Sequence, residues 1–375
     1  MNEKMKRIII DDMFLTTDSA TTAGSRMLEG YQSPVEATVV QKAQTAGYTL
    51  AMKTSVGEFA IDLLGETCAH GAQFRQGILQ NASAQMLLQN DVMAALCLDV
   101  NGYPRRAAAQ AGLVCLKPTH GAVSCQGVVS VAPSGEAVDI LAKEAETCRE
   151  LFGLVKKENK NESSSIRRVA VLTLFEKSVN QDIKHKIETA VSTLENGEIY
   201  TTYVENSVFC AAKVAWNVIL CAELCKNTAR YDGIRYGHRT TDFRGLEELY
   251  TNSRTEGFGD LVKTAILYGS EVLSAQNYQK IYEKSLRVRR VITNEFAKIF
   301  EDFDAVLLPA CSQMLYTGEQ ASKDKYIAFE ENRYTALATL AGLPAVVAGG
   351  VQLIGKPNAE EALLDVARIL AGEGR

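Results

Sequence analysis

Apolar positions along the chain fall into two kinds of pattern that alternate with each other. Ile8 to Ile10 is a β-branched run that reads as a buried strand. From Ser33 to Gly47 the order is Pro34 at an N-terminal turn, Val39, Val40 and Ala43 at helical spacing, and Gly47 as a stop, which predicts an amphipathic helix. Tyr48 to Met52 follows as a short strand, and this β-α-β opening favours an α/β sheet. Ala82 to Val100 is apolar and helix-competent, and Gly112 to Val129 carries strand-like stretches broken by Lys117-Pro118 and Gly121.

The polar tract 156–165 has no apolar residue to bury and reads as a surface connection within one domain spanning 1–375. After it the β-α-β logic resumes. Arg168 to Leu174 alternates as a strand, Ile183 to Leu194 is an amphipathic helix, and Tyr200 to Val204 is another strand. Val208 to Phe300 reads as mainly helical, before Ala305 to Pro309 returns to a core strand. No repeat of solenoid length is visible.

Composition narrows the functional classes. A chain of 375 residues that is 46% hydrophobic and 23% charged can bury a sizeable core. The net charge of -5 does not support direct nucleic-acid binding. Three isoleucines followed by Asp11 and Asp12 do not make a signal-peptide core, and no uninterrupted apolar run approaches the roughly 20 residues of a membrane span, so a cytoplasmic location is expected. Nine cysteines without paired C-x-x-C spacing suit a reducing compartment. Cys221 and Cys225, one helical turn apart, lack a matching His or Cys pair and read as core packing. The four histidines, His70, His120, His185 and His238, have no metal-ligand spacing, and no phosphate-binding glycine loop occurs, so no metal or cofactor is expected.

Six stretches, in order and at compatible spacings, carry a resemblance. They are Leu116-Lys-Pro-Thr-His-Gly-Ala-Val-Ser124, Arg230-Tyr-Asp-Gly-Ile-Arg-Tyr-Gly237, Ser253-Arg-Thr-Glu-Gly-Phe-Gly259, Val288-Arg-Arg-Val-Ile292, Leu340-Ala-Gly-Leu-Pro344 and Val351-Gln-Leu-Ile-Gly-Lys-Pro357. Together they resemble the amidase-signature enzymes, the A subunits of the glutamyl-tRNA(Gln)/aspartyl-tRNA(Asn) amidotransferases among them. The resemblance implies an α/β amidase-signature fold, with one large mixed β-sheet sandwiched between layers of α-helices and an active site fed by loops at one sheet edge. It also implies that extra N-terminal helices of the family are missing.

Such enzymes attack an amide with a serine in D-T-G-G-S, relayed through a second serine in G-G-S-S-G-G-S, on a cis peptide bond, to a neutral lysine in K-D-N. A serine hydroxyl needs an adjacent base, and the oxyanion needs backbone donors from a glycine-rich turn. Here Asp99-Val-Asn-Gly-Tyr103 stands at the nucleophile motif, registered without a gap by Leu116-Lys-Pro-Thr. Tyr103 replaces the nucleophile and Asn101 replaces a glycine of the turn. Leu79-Gln-Asn-Ala-Ser83 stands at the second motif, so Leu79 replaces the bridging serine, only Ser83 survives, and the loop for the cis peptide is not expected to form. Ile10-Asp-Asp-Met-Phe14 stands at the lysine motif and puts Asp11 at the base position. All three triad positions are thus replaced, and no catalytic residue is assigned.

On the substrate side, Tyr236 and Arg289 match a tyrosine and an arginine that hold the free amino acid in the resembling subunits, with packing and surface ion pairing as the alternative reading. Asn332 stands where an acid is expected. Lys53 matches a structural lysine at a strand end, His120 takes the place of a tyrosine and reads as packed, and Cys97 lacks a nearby histidine in sequence. The expectation is a non-catalytic homologue serving as a binding or scaffolding subunit, with amidotransferase B- or C-like subunits or an active A-like chain as partners and a homo-oligomer left open. The alternatives are an active amidase or glutaminase with rearranged residues among Tyr103, Ser83, Cys97 and Lys53, and a small-molecule amide sensor.

Overall fold

The computed structural model describes residues 6–157 and 165–373, so most of the polar tract at 156–165 lies outside the described residues. The first β-α-β unit is β1 (Arg7–Asp11), α1 (Thr38–Thr45) and β2 (Thr49–Thr54), the two strands running parallel. The helix starts later than its spacing predicts. Ser33 Oγ donates to Val35 O and accepts the Val35 N–H, and Ala37 is extended at ψ 136, so winding begins only at Thr38.

A small hairpin, β3 (Gln73–Arg75) and β4 (Ile78–Gln80), leads into α2 (Ala82–Gln89), whose first turn is capped by Asn81 accepting the Ala84 N–H. The apolar run from Ala82 to Val100 is not one helix. Asn90 leaves helical geometry at φ -123 and ψ 163, and the chain resumes as β5 (Ala94–Asp99), buried at every residue. A short apolar segment buried on both faces satisfies either period, so only tertiary contacts separate the two.

Next come α3 (Tyr103–Ala111), β6 (Val114–Lys117), β7 (Ala137–Ala142) and α4 (Ala145–Val155). Of the strand-like stretch 112–129, only 114–117 joins the sheet. Pro118 ends it, and Phe14↔Val128 and Val123↔Lys156 are isolated bridges.

The second half opens with β8 (Arg168–Leu172), α5 (Gln181–Asn196) and β9 (Tyr200–Val204), again a parallel unit. The helices α6 (Ala212–Thr228), α7 (Leu246–Gly257), α8 (Asp260–Val272) and α9 (Glu283–Asp302) precede β10 (Ala305–Pro309). The chain closes with α10 (Gly318–Lys323), α11 (Ile327–Ala341), β11 (Ala345–Ala348), β12 (Val351–Gly355) and α12 (Glu360–Ala371).

Ten strands form one sheet in the order β2-β1-β5-β7-β6-β11-β12-β10-β8-β9, antiparallel at its centre and parallel toward each flank. The residues of the central strands β5, β6, β7, β10, β11 and β12 are all buried, as expected for a sheet covered on both faces. One set of mutually packed helices comprises α1, α4, α12 and α5, and another α6, α8, α9 and α11, with α2 against α3. The stretch Ser207–Thr228 is the one candidate among the described residues with the length and hydropathy of a membrane span. It is 56% buried inside the protein and packs on α8, α11 and α9.

Candidate functional site

The three positions that the motif register assigns to the triad lie on different elements. Asp11 ends β1, Leu79 lies in β4, and Tyr103 is the first residue of α3. The parallel strands β1 and β5 end side by side, and α3 starts just past β5, so the tertiary structure brings Asp11 and Tyr103 together at the ends of these two strands. The Tyr103 hydroxyl donates to Asp11 Oδ2. The same carboxylate accepts the N–H of Leu98 at 2.8 Å and of Met13 at 3.0 Å. Burial pushes the Asp11 carboxyl up to about 6, with the Tyr103 and backbone hydrogen bonds pulling against it. Burial first, and then the Asp11 charge, pushes the Tyr103 phenol well above its usual range.

Other groups complete this buried cluster. The Thr54 and Ser83 hydroxyls lie 2.6 Å apart, and Thr54 also donates to Ile10 O. Cys97 places its thiol in hydrogen-bonding reach of Tyr103 and Ser83, and burial drives that thiol far up, away from the thiolate form. Leu79 is fully buried. Its N–H donates to Tyr316 O, and its carbonyl accepts Gln110 Nε2. Every peptide bond among the described residues is trans.

The turn between β5 and α3 keeps a rigid frame. Gly102, at φ 81, donates its N–H to Asp99 Oδ1, and a Cβ there would sit 2.3 Å from Thr335 Oγ1. Arg105, wholly buried, donates to Asp99 Oδ2, Thr335 O, Gln352 Oε1 and Thr339 Oγ1. Burial alone would raise the Asp99 carboxyl, but the Arg105 guanidinium outweighs it and holds the group low. Asn101 donates to Ile61 O at 2.7 Å, while its own Oδ1, aimed into the core, has no partner. The turn is thus pinned by side chains at each step.

Among the described residues the substrate-side candidates share no hydrogen bond with this cluster or with one another. Tyr236, half-buried, packs its ring 5.2 Å from Tyr31 and 6.3 Å from Tyr231. Arg289 donates to Leu340 O and Ser134 O, tying α9 to the last turn of α11 and to the loop before β7. Asn332 is buried in α11 and donates to Asn217 Oδ1. Lys53 is held by Asp12 at 3.1 Å, Ala20 O and Thr21 Oγ1, the bonds of a strand-end anchor. His120 is exposed rather than packed, because it sits in the turn past Pro118 with only its backbone N–H tied down, donated to Gly342 O.

Three cavities are lined elsewhere. One of about 1040 Å³ follows β9 and α12, one of about 500 Å³ lies by Glu58, Phe74 and Lys325, and one of about 440 Å³ by Asp12, Lys53 and His70. Asp11, Leu79 and Tyr103 line none of the three. Sequence reasoning passed over Glu58, whose carboxyl is pushed up to about 7, by burial first, while it accepts Ser25 Oγ at 2.6 Å and Gly259 N at 2.9 Å. An acid inside the apolar stretch Val56 to Ala60 was its only local signal. The left-handed backbone of Phe59 and Ala60 beside it leaves no mark in the sequence at all.

A family model described as amidase matches residues 89–364. The glutamyl-tRNA(Gln) amidotransferase A subunit of Symbiobacterium thermophilum is 33% identical, over 96% of this chain and 81% of its own. The protein of the same name from Coxiella burnetii is 34% identical, over 95% and 80%. Among solved structures, the glutamyl-tRNA(Gln) amidotransferase A subunit of Thermotoga maritima superposes with a TM-score of 0.79 at 25% identity, covering 97% of this chain and 82% of its own. An allophanate hydrolase from Kluyveromyces lactis shares the fold at a TM-score of 0.83 and 21% identity, over 98% and 61%.

Proposed function

This chain belongs to the amidase family, and we propose that within it the protein is a non-catalytic relative of the amidotransferase A subunits, acting as a binding or scaffolding subunit. The observation that carries this reading is the hydrogen bond from Tyr103 to Asp11. An amide hydrolase must set a nucleophile and a base around a space that admits a carbonyl carbon. Here the two positions close on each other. The Asp11 carboxyl, near 6, is also too weak a base to take the proton of a phenol that burial and the Asp11 charge push well above its usual range.

The rearranged-enzyme alternative finds less support. Cys97 and Ser83 do meet the cluster, but both are buried, and the Cys97 thiol is held protonated. Lys53 spends its ammonium on Asp12, a carbonyl and a hydroxyl. The intact frame around Arg105 supports a body retained for association, and the relatives, named as amidotransferase A subunits, point to B- and C-like subunits or an active A-like chain as partners. The same likeness supports a cytoplasmic setting.

The test is ammonia release from glutamine and asparagine by the purified chain, alone and with co-purified partners. The expected result is no release above buffer from the chain itself. Turnover that disappears in Cys97→Ser, Ser83→Ala or Lys53→Met would replace this reading with the rearranged enzyme.

A further inference from the structure

Among the described residues the sheet ends in two open strands, β2 and β9. Open edges are templates for another strand, and proteins usually blunt them with bulges, charges or proline. On the β2 side the ladder is irregular between Ile8 and Ile9, and β2 carries Lys53. The β9 edge has no such device. Its sequence, Tyr200-Thr-Thr-Tyr-Val204, holds no charge, proline or glycine, and its register with β8 runs unbroken from Tyr200 to Val204.

Tyr200 is 74% exposed and Tyr203 is 55% exposed, an unusual outlay of aromatic surface on one short strand. The Tyr200 N–H is donated to Arg167 O, so the alternation along the strand turns the backbone groups of Thr201 and Tyr203 away from β8 and outward. The cavity of about 1040 Å³ runs along the start of this edge, floored by Ile166, Ile199 and Val366.

Charge decides what fits. Exposed Glu198 precedes the strand and exposed Glu205 follows it, and Glu195 lies on the cavity rim with Arg167 as the one arginine lining it. A second copy pairing antiparallel about Thr202 would crowd Glu198 of one chain toward Glu205 of the other at both ends, a like-charge arrangement. We propose that β9 is a docking edge for an extended segment of a partner protein, added to the sheet as a further strand, uncharged in its middle and carrying lysine or arginine at both ends. Backbone hydrogen bonds would supply the affinity, and Glu198 and Glu205 the selectivity. This gives the scaffolding reading a surface, yet it rests on β9 alone and is independent of whether the Asp11–Tyr103 centre turns over substrate.

The test uses fluorescent heptapeptides of alternating valine and threonine, ended by lysine or by glutamate, titrated onto the full chain by anisotropy. The lysine-ended peptide is expected to bind at least about tenfold more tightly than the glutamate-ended one, and to weaken as salt rises. Glu198→Lys combined with Glu205→Lys, both at exposed positions, should reverse the preference. Thr201→Pro, which removes an outward donor while sparing the β8 ladder, should abolish binding of the lysine-ended peptide. If that variant fails to fold, the charge reversal decides alone. Equal binding of both peptides, no binding of either, or indifference to the charge reversal would overturn the proposal. So would a concentration-dependent dimer in sedimentation that Thr201→Pro dissolves, which would assign the edge to a second copy. The peptide result is read separately from ammonia release, so a failure of either reading leaves the other standing.

Discussion

Tyr103 and Asp11, 92 positions apart in the chain, are joined by a hydrogen bond from phenol to carboxylate, with both side chains buried where β1 and β5 end. Family chemistry would place a nucleophile at one of these positions and a base at the other. The pair instead acts as a lock on the turn that starts α3. Four measurements probe that lock and its surroundings.

The first is the pH dependence of stability in Tyr103→Phe. Asp11 has a folded value near 6 against an ordinary 3.8, so between these values the folded chain keeps a proton that the unfolded chain has released. Stability owed to this group is therefore greatest below about 3.8 and falls as pH rises through about 6. The Tyr103 bond restrains that rise, and removing it moves the folded value further up. Tyr103→Phe should cost about 1 kcal/mol at pH 4 and about 2 to 3 kcal/mol at pH 8. Urea titrations at the two values check this, and a cost that shrinks toward alkaline pH would contradict the assignment.

On the non-catalytic reading, a serine at position 103 should not create an amidase. Tyr103→Ser empties a buried ring volume and should lose about 3 to 5 kcal/mol, by analogy with large aromatic truncations. With an aspartate and a leucine kept at 11 and 79, the variant should release no ammonia from glutamine. Hydrolysis by this single substitution would mean that a working base survives nearby.

Gly102→Ala and Gly30→Ala separate steric from conformational cost. Both glycines have positive φ, 81 and 71, but a Cβ on Gly102 would meet Thr335 Oγ1 at 2.3 Å, while one on Gly30 meets nothing within 4 Å. Gly30→Ala should cost about 1 to 2 kcal/mol. Gly102→Ala should cost at least about 2 kcal/mol more, because α11 must shift. Equal melting temperatures for the two variants would show that the turn is looser than its contacts imply.

Alkylation tests the idea of a relocated thiol. Cys210 is exposed, whereas Cys97 is buried and its thiol is held far above its usual range. Iodoacetamide at pH 8 should label Cys210 in the native chain and reach Cys97 only after denaturation. Rapid native labelling of Cys97 would revive it as a nucleophile.

Much of this molecule is legible in its sequence. The β-α-β units around Val39 and Ile183 follow from periods that about 5 to 15 neighbouring residues suffice to define, and Ala305 to Pro309 and Tyr200 to Val204 fall where their β-branched and aromatic runs place them. The family's motif order from Leu116 to Pro357 is also legible, because chain order preserves spacing without any knowledge of contacts.

Other features depend on the whole fold. Whether Ala94 to Leu98 continues α2 or starts β5 was settled by burial between β1 and β7, since an apolar run suits either period. That Arg289 donates to two carbonyls instead of standing free, and that Asp11 faces Tyr103 rather than solvent, depends on elements brought together across tens to hundreds of residues. Side-chain identity determines what a residue can do chemically. Which partner it meets, and with it the protonation of a carboxyl such as Asp11, is decided by desolvation and geometry, which exist only once the chain has closed around it.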